Sequence, residues 1–288
     1  MENKILLKKN WLIITASILF VSCVNEINDA GDNVDSVSLE FQISPYETKP
    51  MFYASNDLSS AFTYITYLNY TEEAKENEIL QTSSDENFGI ISDNLSIGVH
   101  HLYFAGHKQS PIVYNETSKA VSFPKVDDTF SIYTVLNVEE DTPSIQPIKL
   151  IRRVAKFELV ATDAIPSNIA ALEIIATGGS ESMNFQTGVG AEVSTQTKTI
   201  SIPSEYVGRK NVTFNCYTFI PENGKMMSFV ISAKNEGGET VYSHKFPDAP
   251  MTVNMITRYT GVFFNDKTSI SSSITVDTEW SGINDFEF

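Results

Sequence analysis

Residues 149–162 read KLIRRVAKFELVAT, and this stretch decides the fold class. Small and apolar side chains alternate with charged ones: Ala155, Phe157, Leu159 and Ala161 fall on one face, Lys156 and Glu158 on the other. A period of two is typical of a β-strand that buries one face. The stretch therefore predicts a strand that packs one face against a hydrophobic core.

The same alternation continues on both sides of this stretch. Further runs with β-branched or aromatic residues occupy residues 37–43, 61–70, 99–105, 130–138, 171–176, 199–202, 212–220, 226–233, 240–246, 258–264, 273–276 and 280–288. Residues 235–238 (NEGG) predict a hairpin turn, because glycine adopts positive φ at little cost. Residues 72–80 alone suggest a short helix. Short strands at this spacing predict an all-β protein built from sandwiches.

A break in composition divides the chain. Residues 139–147 (EEDTPSIQP) are acidic and contain two prolines, which is typical of a boundary between domains. The sequence therefore predicts two β-sandwich domains in tandem, covering residues 37–148 and 149–288.

The N-terminal segment is predicted to be a secretion signal. Residues 1–22 carry a basic start and the apolar run 11–21 (WLIITASILFV), which is too short to span a bilayer. The following Ser22-Cys23 junction resembles the lipobox of bacterial lipoproteins, although Phe20 stands where leucine is usual and Leu19 lies one place earlier. The resemblance implies fatty acylation of Cys23, with palmitate or a similar chain, and attachment to the outer membrane. The alternative is an ordinary signal peptide that happens to precede a cysteine.

The two cysteines, Cys23 and Cys216, are not expected to form a disulfide with each other. If Cys23 carries lipid, Cys216 has no partner for a disulfide. Cys216 lies in the alternating run 212–220, so we interpret it as a small buried apolar residue. The domains must then depend on their cores for stability.

The charge of the chain excludes one class of partner. The net charge is −16, and removal of the basic signal makes it more negative. Nucleic acids repel such a surface, so a nucleic-acid-binding role is excluded. Residues 23–36 are acidic and lack periodicity, which indicates a flexible tether, and they resemble export signals of surface lipoproteins in the Bacteroidota. Their acidic spacing also suggests calcium, but the glycine and closing glutamate of a calcium loop are missing: Asp29, Asp32, Asn33 and Asp35.

No motif of catalysis, nucleotide binding or zinc binding occurs in the sequence, so neither an enzyme nor a cofactor is predicted. Of the four histidines, adjacent His100 and His101 must point to opposite faces of a strand and cannot be joint ligands. His107 and His244 are interpreted as structural. Glycan sites usually offer aromatic platforms, often tryptophan, and the mature chain has only Trp280. Its twelve tyrosines leave a tyrosine-lined glycan site as an alternative.

Several segments resemble the fimbrillin superfamily, the subunits of type V pili in the Bacteroidota. They are residues 150–159 (LIRRVAKFEL), 253–264 (VNMITRYTGVFF), 274–280 and 285–288 (DFEF), so the match is best over 149–288. The resemblance implies two transthyretin-like β-sandwich domains, a lipoprotein precursor and assembly by strand exchange. Stalk and tip subunits of this family are cut by an arginine-specific protease in the N-terminal domain, whereas anchor subunits keep their lipid.

The distribution of arginine favours a retained subunit. Residues 23–151 contain no arginine, and the first are Arg152 and Arg153 in a predicted core strand. Lys49 precedes Pro50, which makes a poor site even for a lysine-specific protease. The leading hypothesis is a lipid-anchored pilus anchor, accessory subunit or adhesin, whose partners are other pilus subunits or host or bacterial surface ligands. The alternative is a surface lipoprotein that binds glycans.

Overall fold

Strands make up nearly all the regular structure in the computed structural model, which describes residues 36–45, 58–72, 74–109, 112–222, 225–265 and 282–287. The first half contains β1 (Ser36–Pro45), β2 (Tyr64–Tyr70), β3 (Lys75–Thr82), β4 (Ile90–Ser96), β5 (Gly98–His107), β6 (Val113–Asn115), β7 (Ala120–Ser122), β8 (Phe130–Val138) and β9 (Ile145–Arg152). The second half contains β10 (Val154–Ala161), β11 (Ala171–Gly179), β12 (Ser182–Asn184), β13 (Ser194–Ser201), β14 (Val212–Phe219), β15 (Lys225–Lys234), β16 (Thr240–Met251), β17 (Met255–Gly261) and β18 (Gly282–Glu287). Helical structure in these ranges is limited to α1 (Leu58–Ala61) and a 3-10 turn at Ser204–Tyr206. Neither has the length and apolar character that crossing a bilayer requires.

The first half forms a β-sandwich from one folded sheet. Its strand order is β3-β2-β5-β8-β9-β1-β4, and its pairs are antiparallel except for β1 with β9. Strands β8 and β9 pair only where Phe130 faces Arg152 and Ser131 faces Ile151. The sheet turns a corner at this short pairing, so the layer β3-β2-β5-β8 faces the layer β9-β1-β4.

The inward side chains of these two layers form the first core. The ring of Phe41 on β1 lies 5.2 Å from that of Phe104 on β5 and 5.5 Å from that of Tyr67 on β2, measured between centroids. Alternate residues of β1 are buried, as a strand with one inward face requires. Other members of the core are Leu39, Ile43, Phe62, Ile65, Ile91, Leu95, Leu102, Phe130, Val138, Ile148 and Leu150.

The second half is a sandwich of two separate sheets. Their strand orders are β14-β10-β17-β18 and β13-β11-β15-β16. The rings of Phe157 on β10 and Phe229 on β15 stack between the sheets at a centroid distance of 4.0 Å. The sequence places Phe157, Leu159, Phe214 and Phe229 in the second core, and this prediction is confirmed because all are buried in one cluster.

A small third sheet joins the two halves. Its order is β12-β7-β6, so β12 of the second half pairs with β7 of the first, Met183 opposite Val121. A third buried cluster surrounds it and draws on both halves: Leu68, Tyr70, Tyr103, Ala105, Val121, Phe123, Val126, Val154, Met183, Phe185, Phe219 and Ile256. The predicted fold class, all-β with two transthyretin-like β-sandwich domains in tandem, is confirmed.

The stretch 149–162 is not one strand, contrary to the prediction. Strand β9 ends at Arg152 and remains in the first sandwich, and β10 begins at Val154 in the second. Arg153 lies between them, and its N–H donates to the carbonyl of Thr129 rather than continuing either ladder. The change of sheet therefore falls a few residues after the predicted break at 139–147, and the division into residues 37–148 and 149–288 stays a prediction.

The helix predicted for residues 72–80 is also wrong. Residues of β3 pair antiparallel with β2, from Lys75 opposite Tyr70 to Thr82 opposite Tyr64. Glutamate, lysine and leucine are good helix formers, but the free-energy preference of each residue is small, and pairing with a neighbouring strand overrides it. The hairpin turn at residues 235–238 is confirmed: Gly238 N–H donates to the Asn235 carbonyl between β15 and β16.

Candidate assembly site

Strand β1 is the first described strand after the predicted tether, and it is central in its layer. It pairs in parallel with β9, from Glu40 opposite Ile145 onward, and antiparallel with β4 on its other side. Its inward side chains Leu39, Phe41 and Ile43 are buried. Each contributes about 1.5–3 kcal/mol by leaving water. Loss of β1 would expose an apolar groove and the free edges of β9 and β4, which is the acceptor that strand exchange needs.

The side of the first sandwich between β3 and β4 is closed by polar contacts. The carboxylate of Asp93 on β4 accepts hydrogen bonds from the Tyr67 hydroxyl at 2.8 Å, the Asn77 amide at 2.8 Å and the Asn69 amide at 3.3 Å. Burial and this carboxylate raise the pKa of Tyr67, so the phenol stays protonated and donates. These contacts tie the edge strand of one layer to β2 and β3 of the other.

The first arginine, Arg152, is held at the corner between the sandwiches. Its guanidinium binds Asp128 at two points, Nε to Oδ1 at 2.7 Å and Nη2 to Oδ2 at 3.0 Å. It also donates from Nη1 to Oδ1 of Asn254 in the second half at 3.2 Å, and it lies 4.5 Å from the centroid of the Phe130 ring. Such two-point pairing fixes the guanidinium plane.

The second arginine, Arg153, is partly buried too. Its Nε donates to the carbonyl of Ser131 at 3.2 Å, and burial lowers the pKa of Arg153. Gly188 covers the guanidinium with φ of +74°, and a Cβ there would come within 2.5 Å of the Arg153 Cζ. A side chain at position 188 would therefore displace the arginine, which explains why glycine is needed in this turn. The geometry supports the prediction that a protease does not reach either arginine in the folded chain.

The residues of the predicted attachment site lie outside the described ranges. Cys23, Trp280 and residues 23–35 of the predicted tether (23–36) belong to this group, whereas Ser36 is the first residue of β1. The lipidation of Cys23 stays a prediction. Cys216 is buried, as predicted, and burial raises the pKa of its thiol to about 12.

The histidines are distributed as the sequence predicts. His100 is buried, with Nδ1 2.8 Å from Oδ1 of Asn69, whereas His101 is half-buried on the opposite face and stacks on Tyr133. His107 is buried, and burial lowers its pKa to about 4. His244 lies 3.0 Å from the Phe263 carbonyl in the second half. Within the described ranges, no three His, Cys, Asp or Glu side chains gather in a way that holds a metal.

Several tyrosines form one cluster on the outer face of β2, β5 and β8. The ring of Tyr103 meets that of Tyr70 at 85° and that of Phe185 at 86°, with centroids 5.6 and 4.9 Å apart. Tyr70 and Tyr103 are buried beneath the third sheet. Edge-to-face packing of buried rings is typical of a core, not of an open platform for a sugar.

Sequence reasoning missed the partners of these functional side chains. Nothing in the sequence links Asp93, Asp128 or Asn254 to the residues they bind. Asn254 has a φ of +60°, which asparagine tolerates better than most residues. Asparagine and aspartate at strand ends are a weak signal of such roles.

One protein family matches most of the chain. The sequence profile of the family described as fimbrillin-A associated anchor proteins Mfa1 and Mfa2 matches residues 66–285. A comparison with curated protein sequences found no match.

Solved structures of low sequence identity resemble the chain. A candidate adhesin from Bacteroides ovatus has a TM-score of 0.49 at 10% identity, covering 82% of this chain and 88% of its own. A protein from Bacteroides thetaiotaomicron described as a candidate polysaccharide-binding protein has a TM-score of 0.48 at 8% identity, covering 72% and 79%. The fimbrial anchor protein Mfa2 from Porphyromonas gingivalis has a TM-score of 0.41 at 11% identity, covering 74% and 83%.

Proposed function

The chain belongs to the family of fimbrillin-A associated anchor proteins Mfa1 and Mfa2, and on this basis we propose that it is a lipid-anchored anchor or accessory subunit of a surface fimbrium. Membership supports a fimbrial accessory or adhesin role associated with the cell surface. Attachment through acylated Cys23 to the outer membrane, and assembly by strand exchange with other subunits, are the finer parts of the proposal. It assigns the protein to binding and assembly, not to catalysis.

The observation that carries the proposal is the protection of the first arginines. The chain has no arginine between Cys23 and Ile151, and Arg152 and Arg153 are tied to Asp128 and Ser131. An arginine-specific protease therefore lacks a site that would release β1 from the folded chain. A paired strand must unfold locally before it enters a protease cleft.

A retained β1 also limits where the subunit can stand in an assembly. While Leu39, Phe41 and Ile43 fill the groove between β9 and β4, no partner strand can enter it. The subunit is then a terminal member that keeps its N-terminal strand, which is what an anchor at the membrane requires.

Mass spectrometry of the protein isolated from cell envelopes tests the proposal. We expect an N-terminal peptide that begins at Cys23 and carries fatty acids, together with co-purifying fimbrial subunits. A surface form that begins within residues 37–148 would show that β1 is removed, and the anchor assignment would be wrong.

The glycan-binding alternative has less support. The tyrosine cluster is largely buried under the third sheet, and it therefore does not offer an open aromatic platform for a sugar among the described residues. If the protein binds on a glycan array and loses that binding when half-buried Tyr133 is substituted, the glycan-binding function would be favoured over the fimbrial one.

A further inference from the structure

The second sandwich has an open side between the edge strands of its two sheets. In the described part of the chain, β13 is outermost in one sheet and β14 in the other. A cavity of about 270 Å³ lies between them, with buried Ile174, Ala176 and Cys216 among the residues that line it. The segment that connects β7 to β8 contributes Lys125 to the lining. We call this cavity the lateral slot.

Strand β14 turns backbone groups toward this side. At its end, Phe219 exchanges two backbone hydrogen bonds with Ser180 on the side away from β10, at 2.9 and 3.2 Å. Backbone groups of every second residue in an antiparallel strand point the same way, so those of Asn215 and Thr213 face the open side too. The carbonyl of Asn215 accepts a hydrogen bond from the Nζ of Lys198 on β13 at 2.8 Å. Ser180 thus begins a strand pairing that a lysine side chain then interrupts.

No carboxylate of the described residues forms an ion pair with the ammonium group of Lys198, although Glu181 lines the same slot. The hydrogen bond of this ammonium group goes to a carbonyl, although the side chain is half-buried. Burial lowers the pKa of Lys198, as do the nearby cations of Lys125 and Lys156, whereas Cys216 and the carboxylate of Asp127 act in the opposite direction. Two lysines, Lys125 and Lys198, and one glutamate, Glu181, thus line the slot, and the second lysine makes its local charge positive in a chain with a net charge of −16. An incoming carboxylate would supply the missing counter-charge in a setting where such a pair is stronger than at an open surface.

We propose that the lateral slot binds an extended segment of a partner protein that carries an acidic side chain. The segment adds a short strand to β14 beside Thr213 and Asn215, and its carboxylate binds Lys198. An N–H of the segment replaces the ammonium group at the Asn215 carbonyl, which frees the ammonium group for the carboxylate. Main-chain pairing supplies affinity and the charged pocket supplies specificity.

Lys198 then has a second effect in the free protein. A lysine that covers an edge strand prevents uncontrolled pairing with other strands. A neutral segment would have to displace the ammonium group without giving it a new partner, whereas an acidic segment provides one. The lysine therefore selects the partner by charge.

Titration of the isotope-labelled mature chain with two peptides tests the proposal. Both are blocked seven-residue peptides of alternating Thr and Val; one has a central Glu and the other a central Gln. We expect amide shifts at Thr213 and Asn215, and a dissociation constant about tenfold lower for the Glu peptide. Lys198→Gln should remove this difference, and the control Lys149→Gln, an exposed lysine on β9, should keep it.

The outcome of this titration is decisive in either direction. Equal affinity for the two peptides, shifts that lie away from β14, or no binding at millimolar peptide would overturn the proposal. If Lys198→Gln does not fold, the two peptides compared on the unaltered chain still decide it. The slot lies in the second sandwich and β1 in the first, so a negative result here leaves the proposed anchor function standing.

Discussion

Replacement of Phe157 by alanine should destabilise the second sandwich strongly. The ring is fully buried and stacks on Phe229 at 4.0 Å, with the rings of Phe246 and Tyr259 at 5.7 and 5.6 Å. Truncation of a buried phenylalanine costs about 3–5 kcal/mol, and loss of contacts to three rings places this site near the upper end. The residues around it lie on paired strands of both sheets, so the cavity cannot close easily.

The corresponding fall in melting temperature is measurable by calorimetry or circular dichroism. At about 2–4 °C per kcal/mol for a domain of this size, a loss near 5 kcal/mol lowers the melting temperature by roughly 10–20 °C. Phe157→Leu keeps most of the volume and should cost only about 1–1.5 kcal/mol. Leu80→Ala, on edge strand β3 and 50% exposed, should change stability by no more than about 0.5 kcal/mol.

Two outcomes would contradict the predicted role of Phe157 in the core of the second sandwich. If Phe157→Ala melts within about 3 °C of the parent chain, the ring is not part of a close-packed core. Equal losses for Phe157→Ala and Leu80→Ala would mean that burial does not govern stability here.

Three other predictions concern attachment, proteolysis and pH. Cys23→Ala should abolish labelling by a fatty-acid analogue, whereas Cys216→Ala should keep it; label retained on the first variant would contradict lipidation at Cys23. The folded chain should resist an arginine-specific protease at Arg152–Arg153 until it is partly unfolded, and rapid cleavage there under native conditions would count against a shielded corner. Because the folded pKa of His107 is lowered from 6.5 to about 4, the unfolded chain binds its proton first as pH falls, so stability decreases from about pH 6.5 toward pH 4. In denaturant titrations, the free energy of unfolding of the parent chain should fall between pH 7.5 and pH 5, and His107→Gln should reduce that fall by about 2 kcal/mol, whereas His101→Gln should not. The same pH dependence in the parent chain and both variants would contradict the lowered pKa of His107.

The sequence predicts those elements whose pattern depends on burial alone. Alternation in β1 and β11 reflects one face against a core, and Phe157 and Phe229, which the same kind of pattern assigns to a core, are buried. Strand β3 could not be predicted, because it is an edge strand with exposed charges and pairs only on one side. The extended conformation of β3 is determined by its pairing with β2, not by the preferences of its own residues.

The corner at Arg152 and the lateral slot depend on residues far apart in sequence. Alternation continues through residues 149–162, so nothing local reveals that the chain changes sheets at Arg153. The change depends on Asp128 and Thr129, which bind the two arginines from the preceding connection. Lys198 and Asn215 likewise meet because two sheets end side by side, and a single sequence contains no signal of that meeting.

The arrangement of β1 has a mechanical consequence if the subunit is held at Cys23, as proposed. Tension applied at the N-terminal end of β1 acts along the strand, while its hydrogen bonds to β9 and β4 run across that direction. Such a load shears both ladders together and does not open them one bond at a time. Extraction of the strand must also drag Phe41 out of its contact with Phe104. The first strand would thus serve as a clamp, able to carry a pulling force from a filament to the membrane while the rest of the sandwich stays folded.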